Sequence, residues 1–276
     1  MWGLSWLPLK MLNAHGFTGL SLIWISFGLL SLALTPVFII QRKEWINYKV
    51  KLAIIAFFGG AANLSFAYAL IYGDVVRVMV LFYLLPVWGV LGGYLILHEK
   101  VDRWRWLGVV LAIAGAFIVL GGFRILLQTP VWTDLVAIAA GFFLAMSILS
   151  FRAIQVIPIV SKITVMFYGC FILASILILL TSTPVRTGVT VQAWAGLVAY
   201  AFCWLLVANL GSQWAVSKIE TGRASIIIIL ELLTAVASAA IIRGETLSTG
   251  EVVGGLMILT AALIEALRDT NQSANC

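Results

Sequence analysis

Two acid-x-x-Arg elements stand out in a chain where only 10% of the 276 residues are charged. The first is Asp74 with Arg77 in "YGDVVRVMV"; the second is Glu220 with Arg223 in "IETGRAS". At a helix start this spacing sets both side chains on one face, where they can pair. One reading has the acid cap its helix while the arginine anchors it at a membrane interface. The other has each pair act as a gate, closing one end of a pathway and breaking when that end opens. The spacing is compatible with both.

Glu231 lies near the middle of the apolar run 222–242. A carboxylate at a bilayer centre costs at least about 2.5–3.5 kcal/mol on insertion scales, so it is expected to face protein or water. It could bind a solute amine, take up a coupling proton, or hydrogen-bond a neighbouring helix when protonated. Asn63 and Asn209 interrupt two further apolar runs, with Gln213 one turn beyond Asn209. Amides so placed either line a cavity or join helices at about 0.6 kcal/mol per contact. Trp6, Tyr83 and Trp204 are mid-helix aromatics with a polar edge to satisfy, which makes them cavity candidates. Pro86 removes a backbone hydrogen bond and is expected to kink its helix, leaving a carbonyl that could face a cavity. Catalytic chemistry finds no constellation: the only histidines are His15 and His98, and HExxH, GxSxG and Walker motifs are missing. No catalytic residue, cofactor or metal site is therefore assigned, and the three cysteines give no disulfide framework.

The elements that must carry these residues are membrane helices. The chain is 63% hydrophobic, and apolar runs of about 20 residues, the length of a spanning helix, recur along it. Gly, Pro and charge clusters divide it into helices at 1–13, 17–40, 50–72, 75–97, 104–123, 132–152, 159–180, 191–213, 222–242 and 250–268. With a cytoplasmic N-terminus, 12 of the 17 Lys and Arg fall on the inner side. Lys10, Arg77, Arg124, Arg186 and Arg243 fall outside. This positive-inside bias sets both termini in the cytoplasm and accounts for the +6 net charge without a nucleic-acid partner. The first helix is short, about 20 Å against a hydrocarbon core of roughly 30 Å, and reads as N-terminally truncated.

A shift of 146 residues superposes the chain on itself. Ala62, Asn63 and Leu64 fall on Ala208, Asn209 and Leu210; Asp74 falls on Glu220 and Arg77 on Arg223. Glu99 meets Glu245, Gly108 meets Gly254 and Ala116 meets Ala262. Each unit holds five helices, an odd number, so the second copy is inverted relative to the first. Inverted repeats meeting near the midplane are the common plan of secondary transporters, which alternate access around a central site. The expected fold is an all-α polytopic membrane protein of ten transmembrane helices in two inverted five-helix repeats. The first repeat would be 1–125, the second 130–268, and 269–276 a cytoplasmic tail.

The "WG" of Trp2–Gly3, "YLLPVWGVLGGYLILHEK" (83–100) and "RGETLSTGEVVGGLMI" (243–258) resemble the drug/metabolite transporter superfamily, ten-helix EamA type. The resemblance implies a carrier of the bacterial inner membrane, often an exporter of amino acids or other small metabolites. The sequence departs from that pattern in its ninth helix, where Leu232 stands in place of the usual proline, next to Glu231. The expected function is export of a small polar or amphipathic metabolite, an amino acid or similar, by alternating access, with protons as a candidate coupling ion. A membrane-embedded enzyme and a non-transporting receptor or assembly protein are the alternatives.

Overall fold

The computed structural model describes residues 1–85, 87–88, 91, 103–119, 131–152, 155–183, 189–218, 234–235, 238, 241–242 and 248–273. Among these the secondary structure is helical throughout. After a 3-10 turn at Trp2–Leu4 come α1 (Trp6–Ala14), α2 (Gly19–Ile40), α3 (Lys49–Tyr72), α4 (Val75–Phe82), α5 (Arg103–Val119), α6 (Trp132–Arg152) and α7 (Ile159–Thr181). Then α8 (Val191–Ala199) passes through a π-helical stretch, Tyr200–Leu206, into α9 (Val207–Lys218), and α10 (Thr249–Ser273) ends the described chain. Among the described residues five stretches are long and apolar enough to cross a membrane: Gly19–Ile40, Arg42–Tyr72, Trp132–Phe151, Ile159–Thr181 and Val191–Trp214. The protein is an all-α polytopic membrane protein.

Two segments expected to be irregular are helical. The loop 41–49 forms a helical turn, Arg42–Trp45, and a 3-10 turn, Ile46–Tyr48, that leads directly into α3. Trp45 stabilises it by stacking on Phe38 at 4.2 Å and donating from Nε1 to the Phe38 carbonyl. The expected tail is helical as far as Ser273, because α10 continues beyond its apolar part.

Large apolar side chains on the outer faces, among them Leu32, Ile39 and Ile40 of α2 and Ile172, Leu179 and Leu180 of α7, are exposed. A bilayer satisfies them, since lipid tails are as apolar as the side chains. Between helices, where that drive is absent, small residues and polar ties do the packing. Helices α3 and α7 cross at Gly60 and Gly169: a Cβ on Gly60 would meet the Gly169 backbone and lie 2.5 Å from the Cys170 nitrogen, while one on Gly169 would strike the Ala56 carbonyl. Antiparallel α2 and α7 are tied by Trp24 Nε1 donating to Ser175 Oγ at 2.7 Å, Thr35 Oγ1 bonded to the Tyr168 hydroxyl at 2.6 Å, and Ser161 Oγ donating to Gln41 Oε1 at 2.7 Å.

Helices α5 and α10 meet in a reciprocal pattern. A Cβ on Gly115 would lie 2.6 Å from the Gly254 carbonyl oxygen, and one on Gly108 would lie 3.6 Å from that of Ala261. Under the 146-residue shift Gly108 corresponds to Gly254 and Gly115 to Ala261. Residue i of one helix thus meets the counterpart of j on the other, and j meets the counterpart of i, which is the contact rule of a twofold axis.

Candidate functional site

Helix α3 ends at Gly73, whose amide donates to the Ala69 carbonyl at 2.7 Å, and the chain restarts at once with Asp74 as the N-cap of α4. Asp74 Oδ1 accepts from the Arg77 backbone N–H at 2.9 Å. The guanidinium of Arg77 turns elsewhere, onto Asp134 in the first turn of α6. Nε donates to Oδ1 and Nη2 to Oδ2, both at 2.8 Å. Asp134 is 2% exposed and Arg77 28%. The acid of the expected gate is therefore a cap, and the ion pair of Arg77 joins α4 to α6. Replacing Asp74 with alanine is expected to cost about 1 kcal/mol, the ordinary value of a cap. A thermal melt of the Asp74→Ala variant should show a fall of a few degrees.

Lys10 of α1 donates to the Gly73 carbonyl at 2.8 Å, at the same end of the bundle. At the far end of α6, buried Lys162 of α7 donates to the Phe151 carbonyl at 3.1 Å. A cation at the carbonyl end of a helix meets the negative pole of its dipole, so α3 and α6 are each held there by a lysine.

Between α1, α2, α3 and the π-helical stretch lies a small cavity lined by Trp2, Ser5, Leu9, Phe27, Asn63, Phe66, Ala67, Tyr200 and Leu205. Helical spacing explains the set. Trp2, Ser5 and Leu9 share one face of the first helical segment, and Asn63, Phe66 and Ala67 are a 3–4 spaced face of α3. Trp2 meets Phe66 edge-on at 6.3 Å, and Phe66 packs on Phe82 of α4 at 4.4 Å. The free space is about 10 Å³, the room one water needs and far below the roughly 300 Å³ of a small ligand pocket.

Asn63 reaches this cavity while its Nδ2 donates to the Gly59 carbonyl one turn back at 2.8 Å. Asn209 makes the same bond, to Leu205 at 2.9 Å, and is buried without lining the cavity. Gln213 is half-buried on α9 and does not line it. Trp6 is buried and uses its Nε1 to donate to Ser238 Oγ at 3.0 Å, joining α1 to the 222–242 segment. Tyr83 is buried at the end of α4, edge-on to Phe82 at 5.4 Å. The Trp204 indole N–H, in the π-helical stretch, is buried with no hydrogen-bond partner among the described residues. Pro86, Glu220, Arg223 and Glu231 lie outside the described residues. Sequence reasoning missed every lining residue but Asn63; the positions three and four beyond Asn63 were the signal for Phe66 and Ala67. It also missed Asp134, which no local pattern couples to Arg77.

The described residues thus form a polytopic helical bundle with a small cavity lined by aromatic side chains and an amide. The model of the EamA-like transporter family matches residues 1–121. The first part of the chain is thus similar to a family of membrane transporters. No curated protein matches the chain. The solved crystal structure of a protein is similar to it with a TM-score of 0.61 at 14% identity, over 98% of this chain and 96% of its own, a likeness of fold.

Proposed function

We propose that the chain is a secondary carrier that exports a small polar or amphipathic metabolite, an amino acid or similar, by alternating access. The observation that carries this reading is the cavity at Asn63. Its wall combines aromatic faces, which take apolar portions of a solute, with an amide and the hydroxyls of Ser5 and Tyr200, which orient polar ones. Room for one water requires the walls to part before a solute of that size enters, in keeping with a site that opens to one side at a time. The reciprocal α5–α10 crossing supports two inverted five-helix repeats, 1–125 and 130–268, within ten spans. The lysine and arginine distribution supports both termini in the cytoplasm, and the similarity of residues 1–121 to the EamA-like family supports a bacterial inner-membrane location.

The test is uptake and efflux of amino acids and related metabolites by the purified protein in liposomes, with Asn63→Leu alongside. The amide's bond to Gly59 lies within its own helix, so its loss is expected to cost about 1 kcal/mol of stability or less. Transport is expected to fall about tenfold or more, as when a polar solute group loses its partner. Wild-type liposomes that move none of these solutes would contradict the proposal.

A further inference from the structure

We propose that Arg77 and Asp134 form the latch that holds one end of the pathway shut, with Asp134 as the positioning residue that was not legible in the sequence. This rests on the alternating-access reading above. Arg77 belongs to the proposed first repeat and Asp134 to the second, so the pair spans the parts that must separate when that end opens. Its geometry is that of a lock: two parallel N–H···O bonds of 2.8 Å, which fix orientation as well as distance. Asp134 also accepts from the Val131 amide at 3.3 Å, which ties the carboxylate to the start of its own helix. The anchor on the other side is equally firm, because Arg77 sits in the turn that Asp74 caps.

Neighbouring contacts close the same end. Lys10 holds α1 to the Gly73 carbonyl. The Tyr72 hydroxyl accepts from the Gly19 amide at 3.1 Å, and Phe17 meets Trp194 at the start of α8 at 5.3 Å. In the proposed topology this is the outer end. Opening it moves α6 away from α4, and Arg77 exchanges a buried carboxylate for water. A 28% exposed arginine can make that exchange, since water already reaches it.

The experiment reads the state of the latch directly. Ala67, a cavity residue beside Asn63, is changed to cysteine after Cys170, Cys203 and Cys276 are replaced by alanine. A membrane-impermeant maleimide is then added from outside. Slow labelling is expected with the native pair. Arg77→Gln should raise the rate about tenfold, the population shift expected from unpairing a largely buried charge. The exchanged double variant Arg77→Asp with Asp134→Arg should restore slow labelling, which a merely structural loss would not do. Labelling that Arg77→Gln leaves unchanged would overturn the latch.

A second arm joins the positions covalently through Arg77→Cys and Asp134→Cys. A bifunctional methanethiosulfonate reagent long enough to replace the arginine side chain links the two thiols as mixed disulfides, and transport should stop on linking and return on reduction. Transport that persists through the cross-link overturns the latch and leaves the carrier reading standing. A wild-type chain that transports nothing counts against the carrier reading, while the labelling arm still decides the latch.

Discussion

Gly169→Val is expected to destabilise the protein by about 3 kcal/mol or more, the upper end of overpacking. At most crowded sites a flexible side chain yields. Here the new methyls would meet backbone, because the Cβ position of residue 169 already strikes the carbonyl group of Ala56. The facing glycine leaves no slack either, with Gly60 set against the Gly169 and Cys170 backbone. Helices α3 and α7 would have to part, and α3 carries Asn63, Phe66 and Ala67. Detergent-solubilised Gly169→Val should therefore give little monodisperse protein and a strongly lowered melting temperature. Gly211 is the control: its Cβ position is open, with nothing among the described residues within 4 Å. Gly211→Ala should be neutral or stabilising by up to about 1 kcal/mol, the helix-propensity gain. Equal melting temperatures for the two variants would refute the backbone contact.

If Glu231 couples protons in the proposed carrier, Glu231→Gln is expected to abolish proton-driven flux while leaving solute exchange intact. A carboxylate at the centre of a membrane-spanning apolar run costs at least about 2.5–3.5 kcal/mol on insertion scales, less when it is protonated or paired. A carrier that cycles such a group between protonated and charged forms links solute movement to the proton gradient. Glutamine keeps the shape and a hydrogen-bonding edge but fixes the neutral state, so only the coupled mode should be lost. Liposomes with and without an imposed pH gradient separate the two modes. Flux in the wild type that ignores the gradient, or a variant that responds to it as the wild type does, would dismiss proton coupling at this residue.

The helices were legible because membrane helices are written locally. The run from Ile159 to Thr181 has the apolar length a bilayer demands, and Pro158 and Ser182 mark its ends. The "YGD" at 72–74 was readable as a break, and Asp74 as a cap, since a cap acts on an amide three residues away. What could not be read depends on contacts between distant positions. Arg77 and Asp134 are 57 residues apart, and neither carries a mark of the other. Trp6 was read as facing a cavity because its indole needs a partner, but Ser238 supplies one. Trp2 takes the place expected of it, one turn earlier on the same helical face. The helical turns within 41–49 were obscured by their charge, which reads as loop while also suiting a helix at a membrane surface.

The π-helical stretch has a consequence for how even-handed the two halves are. A turn bonded from i to i+5 holds one residue more than an α turn, so whatever follows is rotated by roughly 100°. Asn209 follows Tyr200–Leu206 directly, whereas Asn63 follows regular helix. The two amides align without a gap in sequence, yet Asn63 borders the cavity and Asn209 is buried away from it. The π-helical stretch thus leads to an amide packed away from the cavity, where regular helix leads to one beside it.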